Sequence, residues 1–150
     1  MVNDMSNKKG LSIYFIHSRK SDYNELLYLP VLRSNILSDF NLILPASVEN
    51  NNTYFKDLMD KASLIVVELT SPDIGFNMEL KEAILSKKPI LAIAQNSVGY
   101  EAKYQKLLKT VYGYNNEADV RNLVEKFVLA NKDKVGLVDG KSSVVLGTLN

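Results

Sequence analysis

The stretch from Ala62 to Ala94, ASLIVVELTSPDIGFNMELKEAILSKKPILAIA, leaves the chain few choices of fold. Ser63 to Leu69 is a short apolar run rich in β-branched residues and bounded by turn chemistry, as a buried strand should be. Thr70-Ser71-Pro72-Asp73-Ile74-Gly75 is the loop. There Pro fixes one φ, Asp can bond its own backbone, and Gly75 permits a positive φ. Phe76, Leu80, Ala83, Ile84 and Lys87 then recur at helical spacing, and Pro89 stops that helix. Ile90 to Ala94 starts the next strand. Two apolar strands joined by one helix make a right-handed βαβ unit with parallel strands. Ligands of such sheets sit at the carboxyl ends of the strands, which directs attention to residues 68 to 79.

The rest of the chain repeats this alternation. Met1 to Gly10 is polar and expected to be mobile. Leu11 to His17 reads as the first strand, mostly apolar because both faces are covered. A helical stretch follows from about Asp22 to Asp39, which Pro30 should kink or split. Phe40 to Leu44 is a second short strand, and Pro45 to Thr53 an Asn-rich loop expected to act as a mobile flap. Tyr54 to Ala62, Glu101 to Lys109 and Glu117 to Ala130 are helices, the last clearly amphipathic, and Thr110 to Tyr114 is a fifth strand. Leu137 to Leu146 suggests a β-hairpin on the Asp139-Gly140 turn. The expected fold is a three-layer α/β/α domain over residues 11–131 with a five-stranded parallel sheet, flavodoxin- or Rossmann-like, and residues 132–150 as a C-terminal tail or hairpin.

Composition narrows the function more than the fold. The chain has 150 residues, 46% apolar and 23% charged, the profile of one globular domain with a full core. A formal net charge of +1 supplies no pull toward nucleic acid or a membrane. There is no cysteine and a single histidine, so thiolate ligation, cysteine catalysis and a His-based metal site are excluded. No apolar run approaches a membrane span, and no signal-peptide pattern opens the chain, so a cytoplasmic protein is expected. No P-loop, GxGxxG fingerprint or nucleic-acid module is present.

A parallel sheet gathers its strand-end loops at one edge, so their side chains are considered together. Glu79 lies roughly 80–100° from the centre of its helix's buried stripe, on the flank of the first turns. Two readings are open: a solvated first-turn carboxylate favoured by the helix dipole, or a carboxylate at a pocket mouth serving as nucleophile or base. Ser18 and Arg19 offer two donors beside a helix start, which suits a phosphate and equally an ordinary polar loop. His17 is either a satisfied strand-end histidine or a proton shuttle. Glu68, at the end of the central strand, could support the site. Met78 and Leu85 fall on the outer side of the helix, where a second subunit could cover them.

These residues carry a resemblance. Glu68-Leu69-Thr70, Pro72-Asp73-Ile74-Gly75, Glu79-Leu80 and Lys88-Pro89-Ile90, in that order and without a gap, are similar to the central motif of the nucleoside 2-deoxyribosyltransferase superfamily. Within it the closest resemblance is to the 2′-deoxynucleoside 5′-phosphate N-hydrolases. The resemblance implies a nucleoside or nucleotide substrate, no cofactor, and a homodimer or larger assembly. It implies that Glu79 is the glycosyl-accepting nucleophile and Tyr14 the residue that orients it. By type and approximate position Ser18 and Arg19 match the branch's phosphate-holding pair, although that branch has Gly-rich spacing where this chain has His17, Lys20 and Ser21. Ser97 is a loose match to a serine that reaches the neighbouring subunit's phosphate. The family's acid/base Asp falls on Phe55 here, which leaves Asp57 as the nearest substitute, with Asp73, His17 or water as fallbacks. The expected site is therefore Glu79, Tyr14 and Asp57 for catalysis, with His17, Ser18, Arg19, Glu68, Asp73, Gly75 and Ser97 around the substrate. Two other readings compete: a non-catalytic nucleotide-binding module on the same fold, and an NAD-cleaving enzyme of the TIR kind.

Overall fold

The computed structural model describes residues 10–45 and 55–138, with side chains as far as residue 133. Five strands, β1 Ser12–Ile16, β2 Asn41–Ile43, β3 Leu64–Glu68, β4 Ile90–Gln95 and β5 Tyr112–Tyr114, form one sheet. Every pairing is parallel and the spatial order is β2-β1-β3-β4-β5. The chain therefore steps outward from β1 to β2 and then in the other direction through β3, β4 and β5. Because crossovers are right-handed, the two directions place their helices on opposite faces.

Side chains alternate across each strand and so feed two cores. Ile13 and Phe15 of β1, with Leu64, Val66, Leu91 and Ile93, meet one helical layer. That layer is α1, a π-helical turn Asn24–Tyr28 running into an α-turn Leu29–Leu32, and α5, Glu117–Val138. Leu27, Val31, Val120, Val124 and Val128 are their buried contacts. Tyr14 and Ile16, with Ile65, Val67 and Ala94, face the other layer: α2 Phe55–Asp60, α3 Ile74–Ser86 and α4 Ala102–Leu108. Met59, Phe76, Leu80, Ala83 and Tyr104 close that side. With both faces covered, the central strands read as unbroken apolar runs.

The helix expected over residues 22–39 is three short pieces, the last a 3₁₀ turn at Leu37–Asp39. Pro30 has no N–H to give to Leu26, and the ladder just before it widens, with Leu29 N–H reaching Asn24 O. Ser34 Oγ then accepts the Leu37 N–H and donates to Glu125 Oε2 at 2.6 Å, which ties the break to α5.

Two further expectations change. Helix α5 runs past Ala130 to Val138, so Leu137 and Val138 are helical and do not form the first arm of a hairpin. The single Gly136 costs a helix only about 1 kcal/mol and does not end it. Asp139 to Leu146, the remainder of that hairpin, lies outside the described residues, as do the N-terminal nine residues and most of the Asn-rich loop, 46–54. Lys88, expected as a family signature, has a structural task. Its ammonium donates to Met59 O at 2.7 Å and Asp60 O at 3.3 Å, satisfying the carbonyls that end α2. Met78 and Leu85 are exposed on the outer side of α3, as expected from their phase. Among the described residues no helix is long and apolar enough to cross a membrane.

Candidate active site at the β1–β3 switch point

The strand order reverses direction between β1 and β3. Beyond the carboxyl ends of the strands at such a reversal is where α/β sheets of this kind bind ligands. The loop after β1 supplies His17, Ser18 and Arg19; the loop after β3 supplies Asp73 and leads into α3, which carries Glu79.

The clearest contact joins residues distant in sequence. Tyr14 is fully buried on β1, and its hydroxyl donates to Glu79 Oε1 at 2.8 Å. Glu79 is half-buried on the flank of α3, between the core stripe and solvent. Desolvation pushes its carboxyl above the ordinary Glu range, and the negative field of Asp73 acts in the same direction; the Tyr14 hydrogen bond and the Arg19 charge oppose both. Burial, together with the charge and hydrogen bond of Glu79, raises the Tyr14 phenol well out of its usual range. Tyr14 is thus a permanent donor aimed at one oxygen of Glu79.

Asp73 organises the loop after β3. Its Oδ1 accepts the Phe76 N–H at 2.8 Å and so caps the start of α3. Its Oδ2 accepts from Ser18 Oγ at 3.2 Å, which stitches the two loops together. The Phe76 N–H bond holds its carboxyl below the usual carboxylate range, aided by Ser18 and Lys20. Ser18 is fully buried, and its hydroxyl also accepts the Lys20 N–H at 3.0 Å. It therefore fixes the loop, while Arg19 and Lys20 are left exposed upon it.

The sequence placed the positive φ of the central loop at Gly75; the structure places it at Ser71, with φ 49°. Gly75 lies in the first turn of α3, where an added Cβ would meet Asp73 Oδ1 at an ordinary 3.7 Å. It carries no backbone requirement.

His17 is a satisfied strand-end histidine. Nδ1 is 3.1 Å from the Ser18 carbonyl, which can only accept, so Nδ1 carries the proton and Nε2, 2.6 Å away, accepts from the Tyr28 hydroxyl. The ring stacks on Tyr23 at 4.4 Å between centroids. Burial lowers its pKa to about 4, and Arg19 pushes the same way.

Glu68 is buried too deeply to touch a ligand at this sheet edge, with no exposed surface. Its carboxylate accepts the Thr70 N–H at 3.1 Å, the Thr70 hydroxyl at 2.6 Å and the Tyr114 hydroxyl at 2.6 Å. Gln95 Nε2 adds a bond to Thr70 Oγ1 at 2.9 Å. This network ties the ends of β3, β4 and β5 together and anchors the loop that leads to Asp73. The types of Thr70, Gln95 and Tyr114 marked none of the three for this role; Thr70 entered only within the Glu68-Leu69-Thr70 motif.

Two expected members are exposed. Asp57 is exposed on α2, and among the described residues no hydrogen bond or ion pair joins it to Glu79 or Tyr14. Ser97 is exposed in the turn after β4. Among the described residues no cluster of His, Asp and Glu could hold a metal ion. No protein-family model matches this chain, and no curated protein matches its sequence.

Proposed function

We propose that the protein cleaves or transfers the N-glycosidic bond of 2′-deoxynucleosides or their 5′-monophosphates, with Glu79 as nucleophile. The contact between Tyr14 Oη and Glu79 Oε1 at 2.8 Å, at the switch point, is the observation that carries this reading. A single donor fixes one carboxylate oxygen and leaves the other for the sugar carbon. Partial burial makes the carboxylate a stronger nucleophile than one in water, and Tyr14 with Arg19 favours its ionised form.

In the proposed reaction Glu79 forms a bond to C1′ as the bond from C1′ to the base breaks. The bonding pair leaves with the base, which takes a proton. Water then attacks C1′ of the glycosyl ester, gives its proton to solvent and regenerates the Glu79 carboxylate; a second base can replace water. Arg19 and Lys20, exposed on the loop that Ser18 holds, are placed to meet a 5′-phosphate. Asp73 is held ionised and His17 neutral with its proton engaged, so neither is a general acid at neutral pH. The base therefore takes its proton from solvent.

That missing acid favours a second reading, a module that binds nucleotides without turnover. Incubation with a panel of deoxynucleosides, their 5′-monophosphates and NAD, with free base followed by chromatography, separates the readings. Base release from a deoxynucleotide that disappears in Glu79→Gln supports the proposal. A folded protein that releases no base while a nucleotide raises its Tm supports the binding module. Release from NAD alone sinks both.

A further inference from the structure

The opposite flank of α3 carries a second concavity that the nucleotide reading does not use. It lies between α3 and α4 and has a volume of about 300 Å³. Its lining residues on α3, Asn77, Leu80, Lys81, Ile84 and Leu85, stand roughly 100–240° around the helix from Glu79 at ~100° per residue. Leu80, Ile84, Leu107 and the ring of Tyr104 make it apolar. Tyr104 is 1% exposed, packs edge-on against Phe76 at 5.9 Å, and spends its hydroxyl on Asn77 Oδ1 at 2.7 Å. The floor is thus built and rigid. The walls are open: Leu85 is 63% exposed and Leu107 51%. Apolar side chains grouped around a concave floor mark a candidate ligand site, and this volume is at the small end of ligand pockets.

The charge around it has one sign. Lys81 and Lys103 are the ionisable residues in the lining, and no carboxylate is among them. The Lys103 ammonium stands 5.2 Å from the centroid of the Tyr104 ring, which lines the pocket. Its approach to Glu101 is long, 3.8 Å, between well-exposed groups, and neutralises little.

We propose that the α3–α4 pocket binds a small amphiphilic monoanion, an apolar body of ring or short-chain size bearing one carboxylate, with the body on Tyr104, Leu80 and Leu107 and the carboxylate between Lys81 and Lys103. The proposal does not depend on the chemistry at Glu79. Octanoate titrated into the full-length protein by calorimetry, with octanol as the uncharged control, tests it. Saturable one-to-one binding of octanoate is expected, with octanol weaker. Leu107→Glu, at an exposed position that leaves the fold intact, should weaken binding more than tenfold. Lys81→Gln with Lys103→Gln should weaken octanoate roughly three- to tenfold and leave octanol unchanged. Absence of saturable binding, or binding indifferent to Leu107→Glu, overturns the proposal. So does a dimer at micromolar concentration that Leu85→Glu dissociates, since the face would then be covered by a second copy.

Discussion

Removal of one hydroxyl, in Tyr114→Phe, should cost more stability than its size suggests. Tyr114 donates to Glu68 Oε2 at 2.6 Å, and Glu68 has no exposed surface. Among the described residues no ion pair reaches this carboxylate, so its charge is carried by three donors: the Tyr114 hydroxyl and the N–H and hydroxyl of Thr70. A hydrogen bond to a buried charge contributes about 1.5–3 kcal/mol, and an orphaned acceptor adds its own desolvation penalty. Tyr104→Phe is the matched control. It also deletes a hydroxyl from a buried ring, but the partner is the neutral amide of the exposed Asn77, for which about 0.5–1.5 kcal/mol is expected. Both rings remain, so neither variant opens a cavity. Urea unfolding should place Tyr114→Phe about 2 kcal/mol below wild type, a fall of roughly 4–8 °C in Tm for a chain of this size. Equal losses in the two variants would refute the assignment of Glu68 as a buried charge held by its donors.

Three other outcomes follow from the same geometry. His17 binds its proton less readily in the folded chain, at about 4 against an ordinary 6.5, so the unfolded chain takes up more protons in that window and stability falls as pH drops through it. Between pH 7.5 and 5 the loss should be roughly 2 kcal/mol, absent in His17→Gln; the raised Glu79 carboxyl contributes a slope of opposite sign that both proteins share. Gly113→Ala should cost no more than about 1 kcal/mol, because its Cβ would lie 1.9 Å from Oδ1 of the exposed Asn96, whose side chain can swing aside at the loss of its bond to Asn115. In an Asn96→Ala background most of that cost should vanish, as measured by a double-mutant cycle in urea. Gly75→Ala should be neutral or stabilise by up to about 1 kcal/mol, since the site is helical and has room for a methyl group; a loss in Tm would show that Gly75 needs its freedom after all.

Much of the fold was legible because two-sided burial leaves a mark in one dimension. The runs at Leu64–Glu68 and Ile90–Gln95, a helix between them and a turn-rich loop, allow few arrangements other than parallel neighbours. The flank position of Glu79 was likewise a matter of counting around a helix. Its partner was not. Counting does not reach Tyr14, 65 residues away; the resemblance named it, and the register of β1 against β3, Tyr14 beside Ile65, is what brings the phenol to the carboxylate. Residue type misled where a tertiary contact supplied the reason. Gly75 invited a positive φ that Ser71 adopts, and Lys88 looked like a signature while it caps another helix. Glu68 at a strand end looked available to a ligand until Tyr114, from the edge strand, buried it.

By itself the sequence determined the alternation of strands and helices, the two-faced core and the carboxylate on the flank of α3, because periodicity and apolar runs are local consequences of burial. The tertiary structure alone decided which other polar groups meet: Ser18 with Asp73, Glu68 with Thr70 and Tyr114. Hydrogen bonds between distant residues depend on strand register to within an ångström, and no spacing along the chain encodes that distance.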